Sequence, residues 1–269
     1  MRNDIHVVVD SIAIAGETAL KDDPRCHVLR LIARHGDEEW LDGDRSLAEM
    51  FAMVEKTDKL PGTSQPPIGT ILSTFEELAR EGKQLLVLCV DSVLSGTYQT
   101  CCLAARQVMD NIKGADIRVV DSKTAAGRSL DELEGMAEDM VRRTETYFSV
   151  NTLDYLQKGG RIGAVSALVG GILGIRPIIH LDKEGRLEIA DKCRTRKKVL
   201  KRMLELAAEE APLEAIFVAH AEAREDAEFL KQQMQELFPN LPIMLTGIGT
   251  VLAAHLGPGV IGLFVRRKP

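Results

Sequence analysis

Short apolar runs alternate with amphipathic stretches through the first half of the chain, the pattern of strands and helices in turn. Residues 6–9 read as a strand that closes in Asp10-Ser11. Residues 46–54 predict a helix, with Ser46 as N-cap and Glu49, three residues on, as its reciprocal partner. After the Pro-rich entry 61–67, residues 68–80 space their apolar positions for an amphipathic helix. Residues 84–90 are almost continuously apolar, as in a strand buried on both faces of a parallel sheet. Residues 97–109 predict a helix, residues 117–120 a strand closing in Asp121-Ser122, and residues 129–143 a further helix. This succession predicts an open parallel sheet covered by helices.

The second half has a different rhythm. A short helix over 152–157 is broken by Lys158-Gly159-Gly160-Arg161. Residues 177–181 and 186–189 flank Asp182-Lys183-Glu184-Gly185, the signature of a hairpin with glycine in its turn. Helices over 197–208 and 226–237 mix with strands over 215–220, 242–245 and 261–265. The fold class expected is therefore α/β in two domains. Residues 1–147 form a mostly parallel sheet covered by helices, and residues 148–269 form a smaller α+β domain. No internal repeat is evident.

Composition narrows the function. At 45% hydrophobic residues the chain can bury a substantial core. A formal net charge of -6 and 4% aromatic residues give neither a global attraction to nucleic acid nor a base-stacking platform. The opening MRNDIHVVVD lacks the apolar core of a signal peptide, and no apolar run is long enough to span a bilayer. The apolar run 164–175 is interrupted by glycines. Five cysteines without a CxxC suggest reduced thiols in a cytoplasm. No HExxH or paired-histidine spacing calls for a metal, and no Walker or dinucleotide-binding glycine motif calls for a nucleotide cofactor.

Three strand ends share one chemistry: Val9-Asp10-Ser11, Val90-Asp91-Ser92 and Val120-Asp121-Ser122. They either cap the segments that follow or line the ligand crevice at the carboxyl ends of the strands. Ser95 and Gly96 fall where a strand gives way to a helix. Ser95 is either the helix cap or, with the free amides there, a donor to a bound anion. Thr63 and Ser64 offer hydroxyls from a loop stiffened by prolines, and the same hydroxyls are candidate caps. His255, beside Gly257-Pro258-Gly259, is either a structural histidine or a donor of a hydrogen bond or positive charge to an anion. Acyl hydrolysis by Ser95 is an alternative, but Ser95 has no GxSxG elbow and no identifiable acid to orient a histidine.

Several short motifs occur in one order: Thr63-Ser64-Gln65-Pro66, Leu94-Ser95-Gly96-Thr97-Tyr98-Gln99, Lys158-Gly159-Gly160-Arg161-Ile162, Leu173-Gly174-Ile175-Arg176-Pro177-Ile178, Arg194-Thr195-Arg196-Lys197-Lys198 and His255-Leu256-Gly257-Pro258-Gly259. The ordered set covers nearly the whole chain and resembles the DegV family, which includes the fatty acid-binding subunit of bacterial fatty acid kinase. The resemblance implies two domains with a long-chain fatty acid in a tunnel between them. It implies a carboxylate held at Thr63 and Ser95 with His255 nearby, and the Gly96 amide, read from its place at the helix start, completes the expected fatty acid-binding set. It also implies a separate ATP-binding kinase subunit that phosphorylates the bound acid, docked through Arg161 and Arg194. No cofactor beyond the bound acid is implied. The chain departs from the family's usual pattern at Asp91 and Gly163, where serine is common, and at Ala125-Ala126.

Overall fold

A computed structural model describes residues 4–12, 23–89, 92, 95–121, 139–168 and 175–269. Its strands are β1 (Ile5–Asp10), β2 (Cys26–Leu29), β3 (Ile32–His35), β4 (Glu38–Leu41), β5 (Gly62–Ser64), β6 (Gln84–Cys89), β7 (Asp116–Asp121), β8 (Thr144–Ser149), β9 (Arg176–Leu181), β10 (Leu187–Cys193), β11 (Leu213–His220), β12 (Ile243–Gly247) and β13 (Ile261–Arg267). Its helices are α1 (Leu47–Thr57), α2 (Ile68–Arg80), α3 (Thr97–Asn111), α4 (Asp154–Lys158), α5 (Arg196–Glu209), α6 (Arg224–Leu237) and α7 (Thr250–Leu256). Two compact units result. The first takes Met1–Ala33, Glu39–Asp42 and Thr63–Arg142; the second takes Arg34–Glu38, Gly43–Gly62 and Arg143–Pro269.

In the first unit the sheet order is β2-β1-β6-β7 and every pairing is parallel, as the uninterrupted apolar run of β6 requires. Helix α2 turns Ile71, Phe75, Leu78 and Ala79 inward, and α3 turns Cys101, Ala104, Ala105 and Val108 inward. Both sets repeat at three and four residues and meet Val8, Leu85 and Val87 of the sheet in one core. Burying a side chain such as Phe75 contributes about 1.5–3 kcal/mol.

The second unit carries a six-stranded sheet of order β10-β9-β8-β13-β11-β12, and a separate three-stranded sheet has the order β4-β3-β5. Strand β8 lies outside the elements read from the sequence, because its buried Glu145 breaks the apolar alternation. Glu145 is held by His180 at 2.8 Å, Lys183 at 2.6 Å and Arg267. Although burial opposes its charge, the hydrogen bonds from Lys183 and His180 keep its pKa below the usual value. The pairings among these strands are antiparallel except β11 with β12, which run parallel with α6 between them in the chain. Helices α5 and α6 pack Val199, Leu200, Met203, Ala227, Leu230 and Met234 against one face. Helix α1 starts at the expected capping box: Ser46 accepts from the Glu49 amide, and Glu49 accepts from the Ser46 amide at 2.8 Å.

Candidate functional site

In the first unit, the segment after β6 turns into α3 at Ser95 and Gly96. Gly96 is the N-cap residue and supplies no side chain to the first turn. The Ser95 hydroxyl lies 2.9 Å from the Thr97 hydroxyl and accepts a long bond of 3.4 Å from the Thr97 amide. The positive end of a 15-residue helix therefore carries a hydroxyl pair. Among the described residues no histidine or carboxylate hydrogen-bonds to Ser95.

Gln65 organises this turn, and it was not among the residues expected at the site. Its Nε2 donates to the Thr100 hydroxyl at 2.6 Å, and that hydroxyl donates to the Gly96 carbonyl at 3.0 Å. A Cβ at residue 96 would stand 2.2 Å from Gln65 Oε1, so glycine lets the amide lie against the turn. The segment that begins with half-buried Thr63 in β5 is thus tied, through Gln65, to the start of α3. The only sequence signal for Gln65 is its place beside Thr63 and Ser64.

The strand-end acids are mostly consumed by the fold. Asp10 accepts from the Ile12 amide at 3.1 Å. Ser11 donates to Asp42 at 2.9 Å and accepts from the Leu31 amide at 3.2 Å. Asp121 accepts from the Ser92 amide at 3.0 Å, bracing the segment after β6. Asp91, Ser122, Ala125-Ala126 and much of the run 164–175 lie outside the described residues.

His255 belongs to the second unit, in the last turn of α7, which packs against α4 and α1. A Cβ at Gly159 would lie 2.6 Å from His255 Nδ1, so the ring sits directly over that turn. Burial, and then the nearby Arg161 charge, lower the His255 pKa to about 4. The imidazole is therefore neutral near pH 7 and offers a hydrogen bond rather than a positive charge. Arg161 is exposed and donates to the Gly159 carbonyl at 2.8 Å. Arg194 is also exposed, on a separate element just before Thr195, the N-cap of α5. Within the first unit the Thr63 segment is tied through Gln65 to the turn at Ser95-Gly96, and within the second unit Arg161 lies close enough to His255 to lower its pKa.

Among the described residues no group of three metal-ligating side chains occurs, and no helix is long and apolar enough to cross a membrane.

A family profile described as "Uncharacterised protein, DegV family" matches residues 4–127 and 124–268. A DegV domain-containing protein of Clostridium perfringens is 30% identical over 279 residues, covering 96% of each chain. The solved structure of a fatty acid binding DegV family protein from Streptococcus agalactiae has the same fold, with TM-score 0.87 at 24% identity over 99% of this chain and 100% of that one. DegV of Bacillus subtilis, solved as a fatty acid binding protein, is 26% identical with TM-score 0.85, covering 98% of this chain and 99% of that one. Matched along almost its whole length in both sequence and fold, this chain belongs to the DegV family.

Proposed function

We propose that this chain is a cytoplasmic fatty acid carrier: it binds a long-chain fatty acid and presents the carboxylate to a separate ATP-binding kinase subunit, with no catalysis of its own. The proposed ligand set is Thr63, Ser95, Gly96 and His255. The observation that carries the reading is the turn into α3, where the Ser95 and Thr97 hydroxyls meet an N-terminus without a side-chain cap at Gly96.

A buried carboxylate is costly unless it receives hydrogen bonds, and hydroxyls with helix amides supply them. Each methylene of the acyl chain removed from water adds about 0.8 kcal/mol. A neutral His255 suits the role of hydrogen-bond donor. The solved relative from Bacillus subtilis, described as a fatty acid binding protein, supports the ligand class. The bonds of Ser95 to Thr97, rather than to a histidine, favour a ligand-holding hydroxyl over a nucleophile.

The reading is tested by titrating delipidated protein with a fluorescent long-chain fatty acid and displacing it with unlabelled acid, alcohol and methyl ester of equal length. Saturable binding is expected, with the free acid displacing far better than the other two. Equal displacement by all three would remove the carboxylate from the site.

A further inference from the structure

The second unit holds a set of polar atoms that its own fold does not satisfy. Ser149 Oγ, His220 Nδ1 and both Arg196 Nη atoms are buried with no hydrogen-bond partner among the described residues. The topology brings all of them to one end of the six-stranded sheet. Ser149 pairs with Ile178 on one side and Ile261 on the other, and Ile261 pairs with His220. Directly paired residues share a face, so the four form one row. Ile178 and Ile261 lie in the core beneath α5 and α6, which puts Ser149 and His220 on that helix-covered face.

Both helices start from the same end. Helix α6 begins at Arg224, just after β11 ends at His220. Helix α5 begins at Arg196, just after β10 ends at Cys193, opposite Arg176 of β9. Arg196 Nε donates to Asp226 Oδ2 at 2.7 Å in the first turn of α6, which fixes the guanidinium between the two N-termini. Asp226 occupies the Nε side and leaves the Nη groups unmatched.

The charges point the same way. Arg194, Arg196, Lys197 and Lys198 crowd the positive end of the α5 dipole, where cations oppose the helix and an anion offsets them. The N-cap of α6, Ala223, has no side chain to satisfy its first turn. Ser149 is fully buried at 0% exposure, and a buried hydroxyl without a partner is destabilising. Asp226 pairs with the guanidinium charge, so what remains unmet at Arg196 is its two Nη donors, which join Ser149 and His220 in calling for a shared group rich in acceptors. We propose that this end of the sheet binds a small tetrahedral oxyanion of the phosphate or sulfate class, held by Arg196, Ser149 and His220 beneath the N-termini of α5 and α6. The inference does not rest on the fatty acid reading, since none of these residues belongs to the ligand set proposed above.

The test is calorimetric titration of the full chain, dialysed free of phosphate and sulfate, with inorganic phosphate, sulfate and chloride at matched ionic strength. Saturable binding of phosphate or sulfate at one site per chain is expected, with no saturation by chloride. Ser149→Ala and Arg196→Gln are each expected to weaken it by about tenfold or more, the loss of one charge-assisted hydrogen bond or a charge. Where Arg196→Gln fails to fold, Ser149→Ala and His220→Asn carry the test. Absence of saturable binding to the wild-type chain would overturn the proposal. So would binding left unchanged by Ser149→Ala and His220→Asn in folded protein, or a structure solved in phosphate with water alone among these groups.

Discussion

Ser95 combines two roles that a single residue's chemistry separates poorly. Its hydroxyl partners Thr97 and also reaches the Thr97 amide, so a plain capping role and a ligand role use the same atom. Ser95→Ala removes a hydrogen bond to a charged group, worth about 1.5–3 kcal/mol. Fatty acid affinity is therefore expected to fall by about tenfold or more, with Thr63→Ala similar, while thermal melts shift by the smaller cost of a weak cap, about 1 kcal/mol. Binding isotherms beside melts separate the effects, and unchanged affinity would take both residues out of the site. His255 carries a pH signature. Its folded pKa, about 4, lies below the ordinary 6.5. Between those values the unfolded chain takes up a proton that the folded chain refuses, so its contribution is complete above about pH 6.5 and is lost as pH falls towards about 4. Urea midpoints of wild type and His255→Gln should converge across that window. Parallel curves would mean that the ring is not held neutral.

Elements were legible where local pattern and tertiary role agree. Strand β6, helix α2 and the capping box of α1 follow from apolar runs, helical spacing and a serine three residues before a glutamate. Strand β8 was not legible, because Glu145 faces inward and only partners distant in sequence make that tolerable. Helix α7 lies outside the elements read from the sequence, because its seven residues between Gly249 and Gly257 are too few to show a helical period. At the candidate site, the hydroxyls stood out by type, whereas Gln65 acts through an approach to Gly96 that no spacing rule encodes. That approach makes an element-scale prediction. Gly96 has φ of −75°, open to any residue, so the cost of Gly96→Ala lies in displacing Gln65 from Thr100. A loss of about 1 kcal/mol is expected, the worth of one hydrogen bond. In a double-mutant cycle Gln65→Ala should relieve most of it. Additive losses would contradict the contact.

At the scale of the molecule, the alternation of short strands and helices made the parallel first sheet readable, but a boundary drawn along the chain has no means of showing that Gly43–Gly62 groups with Arg143–Pro269. That grouping is a tertiary fact. The exposed Arg161 and Arg194 both belong to this second unit. With a kinase subunit and ATP added, Arg161→Ala and Arg194→Ala are expected to keep fatty acid binding but slow acyl phosphate formation, more so at low salt, because exposed charge pairs are screened as ionic strength rises. ATP turnover measured against carrier concentration checks this, and normal curves for both variants would place docking elsewhere. The central claim, that the chain is a fatty acid carrier, is tested most directly by native mass spectrometry of the purified protein, followed by extraction and identification of what it releases. The account predicts one long-chain fatty acid per chain, released on unfolding and taken up again by delipidated protein. Folded protein that carries no acyl species and takes up none when fatty acid is supplied would contradict it.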